Sequence, residues 1–219
     1  MTGDSDRHSE AVEPSLISDP DERARVEAVN GLQQYDQVIE LVHEWTMPGR
    51  IFKLRLSTIY ALQRTALQGL TPYAGMFRPG DVKIHDSAHQ PPPAHLVAEL
   101  AEQMCDYVNE NFETKSGVHL AAYVLWRLNW IHPFVDGNGR TSRAVSYFVL
   151  CTKSGNVLPG KKTIPDQISN NKNPYYAALE AADKEWAAGR LDLSELEQLL
   201  SAALATQLAD YHRSATGQS

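Results

Sequence analysis

The chain has 219 residues, 42% of them hydrophobic and 21% charged, which is enough apolar material for one sizeable domain. A formal net charge of −7 leaves no general basic surface for nucleic-acid phosphates, and no run approaches the ~20 apolar residues of a membrane span, so neither partner is expected. Cys105 and Cys151 lie far apart in apolar stretches, as small buried thiols in a reducing cytosol would, and the polar N-terminus lacks the apolar core of a secretory signal. The chain therefore reads as cytoplasmic.

Residues 1–20 are rich in Ser, Asp and Glu and read as a mobile leader; residues 21–213 read as a single helical domain and 214–219 as a frayed tail. A first helix starts at Asp21, capped by Asp19 or Asp21 with Pro20 in the first turn, and Gly31 is a candidate break within it. Met47-Pro48-Gly49 stops it. Phe52, Leu54, Leu56, Ile59, Tyr60, Leu62 and Leu67 then supply a second helix, ended near Gly69 and Pro72. Between Gly75 and Pro93 the apolar residues Met76, Val82 and Ile84 are separated by glycine, proline and short polar groups, the pattern of a short β-hairpin. Pro91-Pro92-Pro93 leads into a third helix, Ala94 to about Phe112. A fourth follows Gly117 and is apolar on most sides, so it should be the central buried one. Beyond residue 140, helices are expected from Thr141 to about Thr152, from Asn173-Pro174 to Gly189, and from Ser194 to about His212, with 157–165 as a loop. The expected class is all-α, about seven or more helices around a central buried helix, with one hairpin.

The chemistry concentrates between the fourth helix and the next. Pro133 pushes His132 out of helical geometry and leaves its imidazole projecting at a helix end, where it can serve as a base. Gly137 and Gly139 flank Asn138 in a turn that feeds a helix, presenting backbone N–H groups at the positive helix end, a cradle for anions. Arg140 and Arg143, three apart in the first turn, add two guanidinium forks, which suits a polyphosphate. Asp136 would repel such a ligand unless a cation stood between them, and Mg²⁺ shared by a carboxylate and phosphate oxygens is the common arrangement.

At fixed spacing these residues, His132-Pro-Phe-Val-Asp-Gly-Asn-Gly-Arg-Thr-Ser-Arg143, are similar at every defined position to the Fic signature H-x-F-x-[DE]-G-N-G-R-x-x-R, and 21–186 resembles the rest of that fold. The resemblance implies transfer of AMP from ATP to a Ser, Thr or Tyr hydroxyl of a target protein. By resemblance His132 takes the hydroxyl proton, Asp136 holds Mg²⁺, and Gly137, Asn138 and Gly139 bind the α- and β-phosphates. Arg140 then serves the departing pyrophosphate and Arg143 the γ-phosphate, while Phe134 fixes the loop from the core. The hairpin resembles the family's flap, with Val82, Lys83 and Ile84 pairing a target segment by its backbone. His85, His89 and His95 cluster on this segment, and solvated flap histidines are the expected reading, with a metal site as the alternative, because His-x3-His suits a metal on a helix.

For the adenine the resemblance points to the helix after the motif, with Asn170, Asn173, Tyr175 and Tyr176 as candidates and Tyr176 as the site residue chosen. Many Fic proteins are restrained by a helix of pattern [ST]-x-x-x-E-[GN]. Here Arg23-Ala24-Arg25-Val26-Glu27-Ala28 keeps only the glutamate, and Glu27 is expected to reach Arg143 as an inhibitory group. The resemblance also admits self-modification, and restraint by an antitoxin or a homodimer. The same constellation could instead remove AMP, transfer UMP or GMP, or bind ATP in a regulator that modifies nothing; intact His132 and Asp136 speak against the last.

Overall fold

The structure, a computed structural model, describes Arg7, Ser9, Glu10 and residues 15–217. Most of the leader therefore lies outside the described residues, as do the last two residues of the tail. Among those described there are eight α-helices: α1 (Pro20–Trp45), α2 (Leu56–Leu67), α3 (Val97–Asn111), α4 (Gly117–Ile131), α5 (Asn138–Lys153), α6 (Ile164–Asn170), α7 (Lys172–Ala187) and α8 (Ser194–Thr216). None of them is long and apolar enough to cross a membrane.

The all-α fold forms around α4, as its all-round apolar pattern requires. Leu120, Val124, Leu125 and Leu128 are buried, and so are Tyr123 and Trp126 on other faces. α5 packs back along α4, and Phe148, Val149 and Leu150 join one core with Ile59 and Leu62 of α2 and Met104 of α3. Each such fully buried side chain removes apolar area worth roughly 1.5–3 kcal/mol from water, which is what holds the two ends of the motif in place.

The helix starts follow local chemistry. Asp19 caps α1 by accepting from the Asp21 and Glu22 amides, with Pro20 in the first turn. The break suggested at Gly31 is absent, because α1 is continuous over 26 residues. A single exposed glycine costs a helix only about 1 kcal/mol against alanine, too little to interrupt it. α2 begins at Leu56 rather than near Phe52. Phe52 and Leu54 are buried but extended, because the Asn109 side chain donates to the Leu54 carbonyl at 3.0 Å and accepts from its amide at 2.7 Å, replacing the helix bonds. α6 was not expected. Thr163 caps it by accepting from the Asp166 amide, with Pro165 in its first turn, so two prolines that read as a loop include one that starts a helix.

The expected hairpin takes another form. Lys83–Ile84 is a two-residue strand, β2, whose antiparallel partner is not the following segment but β1, Ser9–Glu10 of the leader. Ser9 stands opposite Ile84 and Glu10 opposite Lys83. Asp86 at φ 51° turns the chain directly after the strand, and Pro91, Pro92 and Pro93 offer no N–H to a return strand, so the flap edge stays open to another segment. Val82 lies just outside β2. At the other terminus α8 continues through Thr216, past the expected end of the domain.

Candidate active site

His132 closes α4 in the left-handed conformation, φ 50° and ψ 57°, while its amide still donates to the Leu128 carbonyl at 2.9 Å. Such a conformation costs a non-glycine residue about 1–2 kcal/mol, so something must hold it. Arg78 does. Its Nε donates to the His132 carbonyl at 2.9 Å, its Nη1 to Gly80 O at 2.8 Å, its Nη2 to Pro92 O, and its own amide to Pro133 O at 2.9 Å. One buried guanidinium thus ties the flap to the backbone of the histidine. Burial lowers the Arg78 pKa, opposed by Asp81 at 3.6 Å.

The imidazole is buried at 7% exposure. Its pKa is pulled down to about 3, chiefly by burial and further by the Arg78 and His89 charges, with the Asn129 backbone pulling the other way. Neutral imidazole has one acceptor nitrogen, and Nε2 lies 2.8 Å from the Ser9 hydroxyl. Nδ1 makes no hydrogen bond among the described residues.

Between His132 and α5 the loop is locked by Asn138, whose Nδ2 donates to Phe134 O at 2.8 Å and whose Oδ1 accepts from Phe134 N at 2.9 Å. Phe134 is fully buried against Phe77 and Tyr60. Gly137 has φ 78°, and a Cβ there would lie 2.3 Å from Leu67 Cδ2, so both conformation and space call for glycine. Gln63 of α2 donates to Asp136 O at 3.1 Å and accepts from Gly75 N, bridging loop and flap.

Beyond Gly137 the first turn of α5 opens into a cavity of about 640 Å³. Its walls carry His132, Asp136, Gly137, Asn138, Gly139, Arg140, Arg143 and Tyr176, so every site residue expected from the motif meets there. Glu27 and Ile84 also line it, as do Ser9 and Arg7 of the leader. Of the tyrosine pair, Tyr175 is a core residue whose hydroxyl accepts from Asn129 Nδ2 at 2.7 Å, whereas Tyr176 is only half-buried. Ser169 and Lys172 line the cavity; Asn170 and Asn173 are exposed residues outside it.

Charge in the cavity is arranged around Asp136. Its Oδ1 accepts from Gly137 N at 2.6 Å, and Oδ2 lies 3.2 Å from Arg23 Nη2 and 3.5 Å from Arg140 Nη2. Glu27 is 3.1 Å from Arg23 Nε and 3.8 Å from Arg140 Nη1, so its carboxylate stands against the first arginine of the motif. Among the described residues no three His, Cys, Asp or Glu side chains group to hold a metal. His89 is turned inward, with Nε2 donating to Trp130 O at 2.7 Å and Nδ1 3.7 Å from Asp183.

Sequence reasoning missed Arg7, Ser9 and Gln63 as parts of the site. Gln63 alone left a trace, a polar residue on the apolar face formed by Ile59, Leu62 and Ala66.

Residues 53–150 match the sequence model of the Fic/DOC family. The chain is similar to "Protein adenylyltransferase Fic" of Drosophila willistoni, 29% identical over 154 residues, which is 65% of this chain and 30% of that protein. The chain thus spans about a third of the length of the curated relatives it matches. Fic-1 of C. elegans superimposes with a TM-score of 0.69 at 21% identity over 93% of this chain and 55% of that one. A Fic family protein of Desulfovibrio desulfuricans G20 gives 0.66 at 20% identity, covering 93% and 56%. Residues 53–150 thus carry the Fic/DOC match, and the chain has the fold of the Fic structures.

Proposed function

We propose that the protein transfers AMP from Mg-ATP to a side-chain hydroxyl of a target protein. The observation that carries this is a hydroxyl, delivered by an extended segment paired to β2, 2.8 Å from His132 Nε2. A base needs that reach before its pKa matters; burial keeps the imidazole neutral at ordinary pH, with a lone pair open to the hydroxyl, while lowering its basicity, so the geometry carries the base role. The adenylyltransferase names of the relatives support the nucleotide and the group transferred.

In this reading His132 Nε2 takes the acceptor proton. The first turn of α5, through Gly137, Asn138 and Gly139, cradles the α- and β-phosphates, Arg140 and Arg143 meet the departing and terminal phosphates, and Tyr176 faces the adenine. Asp136 fits Mg²⁺ as its one protein carboxylate. Oδ2 now faces the Arg23 and Arg140 guanidiniums, which would have to turn to the nucleotide phosphates for the ion to take their place. The ion would neutralise phosphate charge there. Val82, Lys83 and Ile84 present the edge on which the target strand pairs.

The test is transfer from labelled ATP with Mg²⁺, with UTP and GTP in parallel. His132→Ala is expected to keep nucleotide binding and lose about 10²–10⁴-fold in transfer, the usual contribution of a positioned base. Near wild-type transfer by that variant would refute the assignment.

A further inference from the structure

Ser9 sits where the proposed acceptor belongs. The leader enters the site as a strand, with Ser9 and Glu10 paired antiparallel to Ile84 and Lys83, so its backbone register on the flap is set. Ser9 Oγ lies 2.8 Å from His132 Nε2 and 3.5 Å from Asn138 Nδ2. The amide can only donate, and in the tautomer with its proton on Nδ1 the imidazole Nε2 accepts the hydroxyl proton. This is the arrangement a base-assisted attack by oxygen requires, and the chain makes it with its own residue.

Two residues earlier the leader is fixed again. Arg7 pairs with Glu180, its guanidinium carbon lies 4.4 Å over the Tyr176 ring, and its amide donates to the Tyr176 hydroxyl at 3.3 Å. A bystander segment would not be held at the flap edge, at the base and at α7 together.

We propose that Ser9 is a site of self-modification, its hydroxyl accepting AMP within the same molecule. The inference rests on the transfer reading above. Ser9 Oγ attacks the α-phosphorus of Mg-ATP, forming the Oγ–P bond as the bond from that phosphorus to the bridging oxygen breaks. Pyrophosphate leaves with the electron pair, the Ser9 proton passes to His132 Nε2, and the product is a phosphodiester of Ser9. Because Arg7 covers the ring assigned to adenine, nucleotide and Arg7 compete for Tyr176, while the pairing at Ser9 and Glu10 keeps the hydroxyl at His132. An external target must displace the same strand. An intramolecular acceptor also has the advantage of high effective concentration over one that must arrive by diffusion.

The experiment incubates the full chain with ATP and Mg²⁺, maps the modified residue by peptide mass spectrometry, and follows the rate against protein concentration. An added AMP of adenylate on Ser9, at a first-order rate unchanged by dilution, is expected. Ser9→Ala should lose that label and Ser9→Thr keep it, while Arg7→Ala should bind nucleotide more tightly. Label on other residues or on an added hydroxyl-bearing protein, with Ser9 unmodified, overturns the inference and leaves the transfer reading intact. A Ser9 rate proportional to protein concentration overturns the intramolecular step. No label anywhere with ATP, UTP or GTP overturns the transfer reading and this inference with it.

Discussion

Gly137→Ala tests whether the motif loop is shaped by its contact with α2. Gly137 has φ 78°, and a Cβ would meet Leu67 Cδ2 at 2.3 Å and Cγ at 3.3 Å. Leu67 is fully buried, so it has little freedom to move aside. The left-handed backbone should cost alanine about 1–2 kcal/mol, and forcing a methyl into a packed site about 1–3 kcal/mol more. The expected loss of about 2–5 kcal/mol is a large part of a typical domain stability. Urea unfolding of four proteins measures it: wild type, Gly137→Ala, Leu67→Ala and the double variant. Leu67→Ala alone should cost about 2–5 kcal/mol by leaving a cavity. In the double variant the new methyl meets no Leu67 Cδ2, so the sum of the single losses should exceed the measured loss by about 1–3 kcal/mol. Additive losses, or a Gly137→Ala cost below about 0.5 kcal/mol, would refute the steric reasoning.

Acid should weaken the fold through His132. Its folded pKa, about 3, is below the ordinary 6.5, so its contribution is complete above 6.5 and is lost as pH falls from 6.5 toward 3. Between pH 7 and 5 this is worth about 2 kcal/mol, so wild type should lose that much more stability than His132→Ala over the interval; parallel pH curves would refute it. Glu27→Ala should raise nucleotide transfer by releasing the Arg140 guanidinium 3.8 Å away, with little change in stability, because half-exposed ion pairs contribute only about 0–1 kcal/mol. Unchanged labelling of protein targets and of the chain itself would remove Glu27 from any inhibitory role.

Much of the site was legible because its chemistry is compressed into neighbouring residues. Pro133 dictates that α4 ends at His132, and Gly137 dictates where the chain can turn before α5; both are local steric constraints that residue types declare. The apolar faces of α3, α4 and α5 declare burial in the same way. The boundary of α2 and the existence of α6 were not legible, because in the first case a side chain from a distant helix, Asn109, satisfies the Leu54 backbone. In the second a proline that commonly marks loops serves as a helix start.

The sequence by itself determined that a base, a carboxylate, a glycine turn and two arginines share one loop, since that loop is continuous in the chain. Only the tertiary structure decided what stands around it: Arg78 holding the His132 cap, Gln63 joining flap to loop, Arg23 and Glu27 facing Asp136 and Arg140, and Ser9 at the imidazole. Those pairings span from 12 to 123 residues. They depend on where α1 and α2 pack and on an open strand edge at Lys83–Ile84, and no local preference of the chain encodes either.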